Sequence, residues 1–490
     1  MQSRDKRAGI LLHITSLPSP DGIGTFGKQA YGFIDFLRDS GQKYWQILPL
    51  NTIGKGNSPY SSPCAFALNP LLCDAQFLKD SGLICEDQLC NYENIGRTDY
   101  ETAKLYKQKI LNFAVENFDI KDKNYIEFCR NNKYWLDNYA LFTVLSDAFG
   151  SADFLNWQDG YKYRDKETIE FFTEKNSDKI EKVKTEQFLV YEQWYNLKKY
   201  ANKSGIEIIG DIPFYVCLNS VDVWANPKLF KVGKNLVPTL VAGVPPDYFS
   251  ANGQLWGNPI YDWAYQRKTG YKWWIQRLEM CSQLYDIVRI DHFRAFADYY
   301  TIPYGSKNAV AGSWKIGEGM HFFDVVKQKC GDIRIIAENL GQKSSALTNF
   351  MEECGYPSMK VLQFAFNVTD YEDFLPENYN DNCVVYTGTH DNDTTNGWYR
   401  HLSADEMKRY TPFAAKTIGE TPAEKLIITA MKSRANTVIV PMQDYLNLGS
   451  DARMNSPGIS VGNWTWRMDD NTLTDKLSEK IRTLSLKRLS

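Results

Sequence analysis

Eight short apolar segments are spread along the chain, and they constrain its fold more than any other feature of the sequence. In order they read AGILLHITS, YWQILPLN, IEIIGDIPF, YDIVRIDHF, IRIIAENLG, KVLQFAF, CVVYTGTHD and NTVIVPMQD. Most are continuously apolar, which is typical of parallel strands buried on both faces. Helical stretches lie between several of them, such as FGKQAYGFIDFLRDSG after the first. Eight strands alternating with helices predict an α/β fold, the (β/α)8 TIM barrel.

Two intervals between the predicted strands carry more chain than one crossover helix needs. Residues 69–202 read as helical and charged, and we interpret them as an inserted helical subdomain between strands two and three, with charge runs on a solvated face. Residues 221–265 form a smaller insertion rich in Gly, Pro and aromatic residues, including VAGVPPDYFSANGQLWGNP. Such loops at a barrel rim usually shape the substrate cleft. The catalytic barrel is then expected to comprise residues 1–68 and 203–490.

Composition excludes several classes of function. The net charge of −3 and the pI near 6.1 give no basic footprint for nucleic acid. No apolar run is long enough to span a membrane. Ten scattered cysteines without a C-x-x-C pair argue against a zinc site or a disulfide framework, so we expect reduced thiols and a cytoplasmic location. The glycines of DGIGTFG follow two prolines, so they do not open a helix directly after a strand as a dinucleotide fingerprint would.

Polar side chains follow most of the predicted strands at the point where each strand ends. In a barrel these carboxyl ends meet on one rim, which is the face where active sites are built. The residues are Asp211, Arg289 with Asp291, Glu338 with Asn339, His390 with Asp391, and Gln443 with Asp444. Several carboxylates are therefore expected to converge at this rim.

Three of these acids suit glycosidic bond cleavage. Arg289 lies two residues before Asp291 on one strand face, so it should lower the pKa of Asp291 and keep a nucleophile charged, although a structural ion pair would have the same pattern. Glu338 ends an apolar run on the next strand, where burial and a neighbouring carboxylate should raise its pKa and make it a proton donor. A retaining glycosidase needs such a pair roughly 5–5.5 Å apart. Asp391 would add charge to stabilise an oxocarbenium-like transition state.

These residues resemble a known family. The order R-x-D-H, A-E-N-L-G and T-H-D-N is similar to that of the α-amylase clan, and more closely to 4-α-glucanotransferases of the amylomaltase (disproportionating enzyme) type. The matching segments run from residue 18 to residue 467 and include SPYSSPCAFALNP, GDIPFYV, VAGVPPDYFSANGQLWGNP, VRIDHFRAF, IAENLG, GTHDN, PMQD and GNWTWR. The resemblance therefore covers nearly the whole chain.

The resemblance implies roles for individual residues. The family's nucleophile falls on Asp291, its acid/base on Glu338 and its transition-state-stabilising acid on Asp391. The residues matching positions that bind the sugar or line the rim are Arg289, His390, Tyr60, Asp211, Gln443 and Asp444, and those matching sugar-stacking positions of a loop over the cleft are Tyr248, Phe249 and Trp256. The implied reaction moves a segment of an α-1,4-glucan to a new 4-hydroxyl group through a glycosyl-aspartate, with maltooligosaccharides as substrates.

Two other functions stay open on the chemistry of the residues alone. The same three acids would serve a retaining α-1,4-glucan hydrolase if water replaced the sugar acceptor. A glucan-binding protein without activity would need one of the acids to be replaced, and all three are present. The aromatic loop favours the transferase, because stacking an acceptor there would keep water out. Two carboxylates suffice for this chemistry, so neither a metal nor a cofactor is expected.

Overall fold

The computed structural model describes residues 6–246, 251–367, 371–459 and 461–488. Within these ranges eight parallel strands close into a barrel, and each overlaps one of the eight apolar segments of the sequence, although the sixth segment continues beyond its strand as a 3-10 helix, Leu362–Phe366. In chain order they are β1 Arg7–Leu11, β2 Tyr44–Gln46, β3 Glu207–Pro213, β6 Ile287–Asp291, β9 Ile335–Ala337, β10 Ser358–Val361, β11 Cys383–Tyr386 and β12 Thr437–Pro441. The predicted (β/α)8 barrel is confirmed.

The strand order around the barrel is β1-β12-β11-β10-β9-β6-β3-β2. Barrel strands that follow one another in the chain are therefore also neighbours in the barrel. Strand residues are buried because helices cover the outside and side chains fill the inside, as Ile10, Ile209 and Ile290 illustrate with no solvent exposure. This two-sided burial explains why the strands read as continuous apolar runs.

Seventeen α-helices accompany the strands in the described ranges. Their bounds are α1 Lys28–Asp39, α2 Ala75–Asp80, α3 Tyr100–Asn117, α4 Lys123–Phe149, α5 Asp159–Lys162, α6 Lys166–Lys175, α7 Ser177–Lys203, α8 Val221–Ala225, α9 Trp263–Lys268, α10 Lys272–Leu284, α11 Met320–Cys330, α12 Ser345–Cys354, α13 Thr395–Arg400, α14 Ala404–Lys416, α15 Pro422–Lys432, α16 Met442–Tyr445 and α17 Asp475–Leu486. None of those helices is long and apolar enough to cross a bilayer.

The long interval between β2 and β3 holds helices α2 to α7. Local sequence sets the ends of its long helices: Asp122 caps the first turn of α4 by accepting from two backbone N–H groups, and Gly150 ends that helix in the left-handed region at φ 65°. The last helix, α7, packs on the barrel, where Trp194 donates to the carbonyl of Leu284 at 3.1 Å and its ring meets Phe26 at 5.1 Å. The predicted domain boundaries of this insertion stay a prediction.

A second sheet lies on the rim and has the order β5-β4-β7-β8. It is antiparallel and combines β4 Leu240–Val244 and β5 Gln254–Pro259 with β7 Asp298–Pro303 and β8 Ser313–Ile316. The first pair falls in the rim insertion expected at residues 221–265, whereas the second pair follows β6 and was not foreseen. The sequence signal is weak there because β8 is only four residues long and is exposed along its whole length.

Candidate active site

Arg289 lies at the centre of the polar rim and joins two carboxylates. Its Nη1 donates to both oxygens of Asp211, at 2.7 and 2.6 Å, and its Nη2 donates to Asp291 at 3.0 Å. Asp211 and Arg289 are opposite each other in the pairing of β3 with β6, so the barrel register itself brings them together. The side chains of Asp211 and Arg289 are buried, whereas 30% of the Asp291 side chain stays exposed toward the cleft. Arg289 therefore fixes Asp291 from below and leaves it accessible.

Tyr60 connects this ion pair to the opposite side of the rim. Its hydroxyl donates to Asp211 at 2.8 Å, and its ring stacks on that of His390 with centroids 5.1 Å apart. The rings of Tyr60 and His390 each lie within 6 Å of the ring of Trp464. These three rings form an aromatic cluster beside Asp211, in which Tyr60 is partly exposed and His390 and Trp464 are buried.

Glu338 lies directly beyond β9, the barrel neighbour of β6. Its Oε2 accepts from the backbone N–H of His292 at 2.7 Å, and its Oε1 accepts from that of Leu340 at 2.8 Å. His292 follows Asp291 and adopts φ 53°, a left-handed conformation that turns its N–H toward the carboxylate. The turn after the first acid thus positions the second, and each Glu338 oxygen keeps a further lone pair for a proton or a ligand.

Burial controls the pKa values of these two acids. Removal from water raises the pKa of Asp291, Arg289 opposes this rise, and Glu338 and Asp211 add to it. Burial also raises the pKa of Glu338, against Arg289 and the two backbone N–H groups. Arg289 lowers the pKa of Asp291 as expected from the sequence, but the net shift is upward, because Arg289 divides its charge between Asp291 and Asp211 and does not offset burial beside other carboxylates. The raised pKa of Glu338 agrees with the expectation from sequence.

Asp391 is held from two sides at the edge of the cleft. Its Oδ2 lies 3.3 Å from Nε2 of His390, and its Oδ1 accepts from Nδ2 of Asn455 at 2.6 Å. Arg453 braces the same loop by donating to the backbone carbonyls of Asp391 and Asn455, both at 2.7 Å. The Asp391 side chain nevertheless keeps 41% of its surface exposed, so both oxygens are oriented and still reachable.

Of the three predicted aromatic residues of the cleft loop, the structure describes one. Trp256, on β5, lies with its ring 4.8 Å from that of His292 and is 38% exposed, which places it beside the turn that binds Glu338. Tyr248 and Phe249 lie outside the described residues, so their stacking roles stay predictions. Trp256 thus lies on the Glu338 side of the cleft.

Gln443 and Asp444 lie deeper than the other predicted residues. Asp444 accepts from the hydroxyl of Thr387 at 2.5 Å and from the N–H and hydroxyl of Thr395, both at 2.7 Å. Gln443 donates to the carbonyl of Ala452 at 3.3 Å. Both side chains are buried and tie loops of the rim together, while their contact with substrate stays a prediction.

The sequence analysis missed four residues that build this site: His292, Arg453, Asn455 and Trp464. The only signal for Trp464 is the segment GNWTWR, which was identified as a family segment without a role. Trp464 has φ 65°, an uncommon conformation for an aromatic residue, and it is this turn that brings its ring to Tyr60. Over the described ranges, no group of three or more His, Cys, Asp or Glu side chains could hold a metal ion.

Comparison with known proteins agrees with this geometry. The profile of the 4-alpha-glucanotransferase family matches residues 12–474. A 4-alpha-glucanotransferase from Clostridium butyricum is 44% identical over 97% of this chain and 99% of its own, and one from Synechocystis sp. is 43% identical over 97% and 96%.

Solved structures give the same relationship. The amylomaltase from Streptococcus agalactiae, determined in complex with acarbose, superposes with a TM-score of 0.94 at 38% identity, over 98% of both chains. The amylomaltase from Corynebacterium glutamicum shares the fold with a TM-score of 0.76 at 16% identity, over 99% of this chain and 74% of its own. Since the family profile spans residues 12–474 and relatives are more than 40% identical over 97% of its length, the chain belongs to the 4-alpha-glucanotransferase family.

Proposed function

We propose that the protein transfers segments of α-1,4-glucans to the 4-hydroxyl group of glucose or a maltooligosaccharide, with retention of configuration. The observation that carries the proposal is that Asp291 and Glu338 lie at the ends of adjacent strands, where the N–H of His292 donates to Glu338. Asp391 lies at the same rim, beside His390. The names of the relatives support the activity, and the acarbose complex of the Streptococcus agalactiae amylomaltase supports an oligosaccharide ligand.

In the first step Asp291 attacks the anomeric carbon while Glu338 protonates the departing glycosidic oxygen. The bond from carbon to the leaving oxygen breaks, the bond to the Asp291 oxygen forms, and the proton of Glu338 leaves with the shortened glucan. The proposal needs one proton on the pair, and burial beside other carboxylates supports it by raising both pKa values. Arg289 supports attack from Asp291 because it stabilises the charged form.

In the second step Glu338 acts as the base. Esterification removes the charge of Asp291, which lowers the pKa of Glu338, and the two backbone N–H bonds further favour the ionised form. Glu338 then takes the proton of an incoming 4-hydroxyl group, the sugar oxygen attacks the anomeric carbon, and Asp291 leaves as a carboxylate. Asp391 and His390 are proposed to bind the sugar ring that carries the developing positive charge.

Transfer rather than hydrolysis depends on which acceptor reaches the glycosyl-aspartate. Trp256 and His292 border the Glu338 side with aromatic surface, on which an acceptor sugar could stack and exclude water. A cytoplasmic location belongs to the same proposal, since all ten cysteines are free and suit a reducing compartment.

A product profile tests the proposal. Purified protein is incubated with maltotriose, and the products are separated by chromatography while total reducing ends are measured in parallel. Glucose plus a ladder of longer maltooligosaccharides at constant reducing ends is the expected result. Rising reducing ends with only shorter products would instead identify a hydrolase, and an unchanged substrate would identify a binding protein.

Two variants test the assigned roles. Asp291→Ala and Glu338→Gln should each abolish the ladder while the folded protein keeps its melting temperature within a few degrees. Glu207→Gln is a matched control, because this acid lies at the start of β3, on the opposite end of the barrel, and pairs with Arg334 at 2.9 Å. A folded Asp291→Ala protein with the parent's turnover would refute the mechanism.

A further inference from the structure

One aromatic residue of the rim sheet lies outside the site described above and is open to solvent. Trp314, on the edge strand β8, is 39% exposed, although an indole ring in water forgoes the gain of burial. The edge of its ring partner Tyr300 lies against it, with centroids 5.4 Å apart. Ile316, two residues on and therefore on the same face of β8, is 87% exposed. This face of the sheet offers apolar surface that the described chain does not cover.

The inner side of Trp314 is fixed by a cation. The guanidinium carbon of Arg294 lies 4.4 Å from the centre of the indole ring, and Arg294 itself is only 4% exposed. Arg294 is held by Asp298, at 2.7 and 3.1 Å, and Asp298 also accepts from Ser344 at 2.6 Å. The ring is thus backed on one side by a buried ion pair, which leaves its other side as a rigid, flat surface toward solvent.

The same arginine connects Trp314 to both turns of the active site. Arg294 is three residues beyond Asp291, so their Cα atoms are at most about 11 Å apart. Its Nη1 donates to the carbonyl of Gln342 at 2.5 Å, and Gln342 is four residues beyond Glu338. Trp314 is therefore connected through one side chain to the segment that follows Glu338, the acid at which the proposed mechanism places the leaving or incoming glucan.

We propose that the outward face of Trp314 is a glucan-binding subsite, where glucosyl units stack on the acceptor side beyond those held at Asp291 and Glu338. Glucose rings have an apolar face of C–H groups and a polar edge, which is the surface that a half-exposed indole complements. Arg294 links Trp314 to the segment that follows Glu338, so a glucan that extends well past the cleavage point is expected to reach the ring, whereas a trisaccharide is not. This inference rests on the proposed transferase function and adds a preference for long chains.

The test compares a short and a long substrate. The ratio of kcat/KM for maltoheptaose to that for maltotriose is measured for the parent, Trp314→Leu and Trp314→Phe. Leucine keeps an apolar cover over Arg294 but has no flat face, whereas phenylalanine keeps the face. We expect Trp314→Leu to lower the ratio about five- to ten-fold, mainly through KM for maltoheptaose, which is the factor that roughly 1–1.4 kcal/mol of stacking makes. Trp314→Phe should stay within about two-fold of the parent ratio.

Lys315→Ala is the matched control, since Lys315 is exposed on the opposite face of the same strand. It should keep the parent ratio. Equal losses on both substrates in Trp314→Leu would overturn the proposal and indicate that the ring only supports the Asp291 turn through Arg294. Equal ratios in all variants would overturn it as well.

A Trp314→Leu protein that elutes at half the mass of the parent, with an unchanged ratio, would identify the face as a contact between copies and would also overturn the proposal. Failure of the transferase function is recognised separately, because it would remove the maltotriose ladder of the parent protein itself.

Discussion

Asn455 offers a sharp test of how the site orients Asp391. Its Nδ2 donates to Oδ1 of Asp391 at 2.6 Å, and its backbone N–H donates to the carbonyl of His390 at 3.1 Å. The substitution Asn455→Ala removes the first bond and keeps the second, so the loop stays attached while the carboxylate loses one of its two side-chain partners. We expect Asp391, the proposed transition-state acid, to remain in place but to be less well oriented.

The size of the effect follows from the kind of bond. A hydrogen bond to a charged group is worth about 1.5–3 kcal/mol. If the bond matters most when positive charge develops on the sugar, its loss raises the activation barrier by that amount, which corresponds to a fall in kcat of about 10- to 150-fold. KM should change less than about three-fold, because the ground-state sugar carries no such charge.

Initial rates of glucose release from maltotriose give kcat and KM for the parent and for Asn455→Ala. Asn382→Ala is the matched control, because Asn382 makes a similar bond, to the carbonyl of Gly355 at 2.8 Å, but precedes β11 at the other end of the barrel. Thermal unfolding of both variants shows whether the fold is retained. A folded Asn455→Ala protein with kcat within two-fold of the parent would refute the positioning role.

Two further predictions concern acceptor use and pH. Trp256→Ala should raise the share of hydrolysis in the maltotriose reaction several-fold, because the ring beside His292 no longer keeps water out, and reducing ends counted against the ladder measure that share. Burial raises the pKa of Asp222 from the usual 3.8 to about 6, so the stability this carboxyl contributes is fully present below pH 4 and is lost as the pH rises through 6. Relative to the parent, Asp222→Asn should therefore gain up to about 3 kcal/mol of unfolding free energy between pH 4 and pH 7. Urea unfolding across that range checks it, and a constant difference between the two proteins would contradict the raised pKa.

The barrel and its acids are readable in the sequence because each rests on short-range pattern. A strand covered on both faces must be apolar throughout, so β3, β6 and β12 stand out from the chain around them. Asp291 and Glu338 follow such runs directly, and the parallel topology brings strand ends to one rim. The family resemblance then added roles that pattern alone left open between transferase, hydrolase and binding protein.

Only the tertiary structure decided which groups surround those acids. Asn455 lies 64 residues beyond Asp391 along the chain, and no local pattern marks the bond between them. The Asp291 pKa depends on how Arg289 divides its charge and how much water is removed, and both are properties of the assembled rim. Sequence patterns report the burial that each element needs for itself, whereas hydrogen bonds between loops and the electrostatic field of a site arise from groups that meet only after folding.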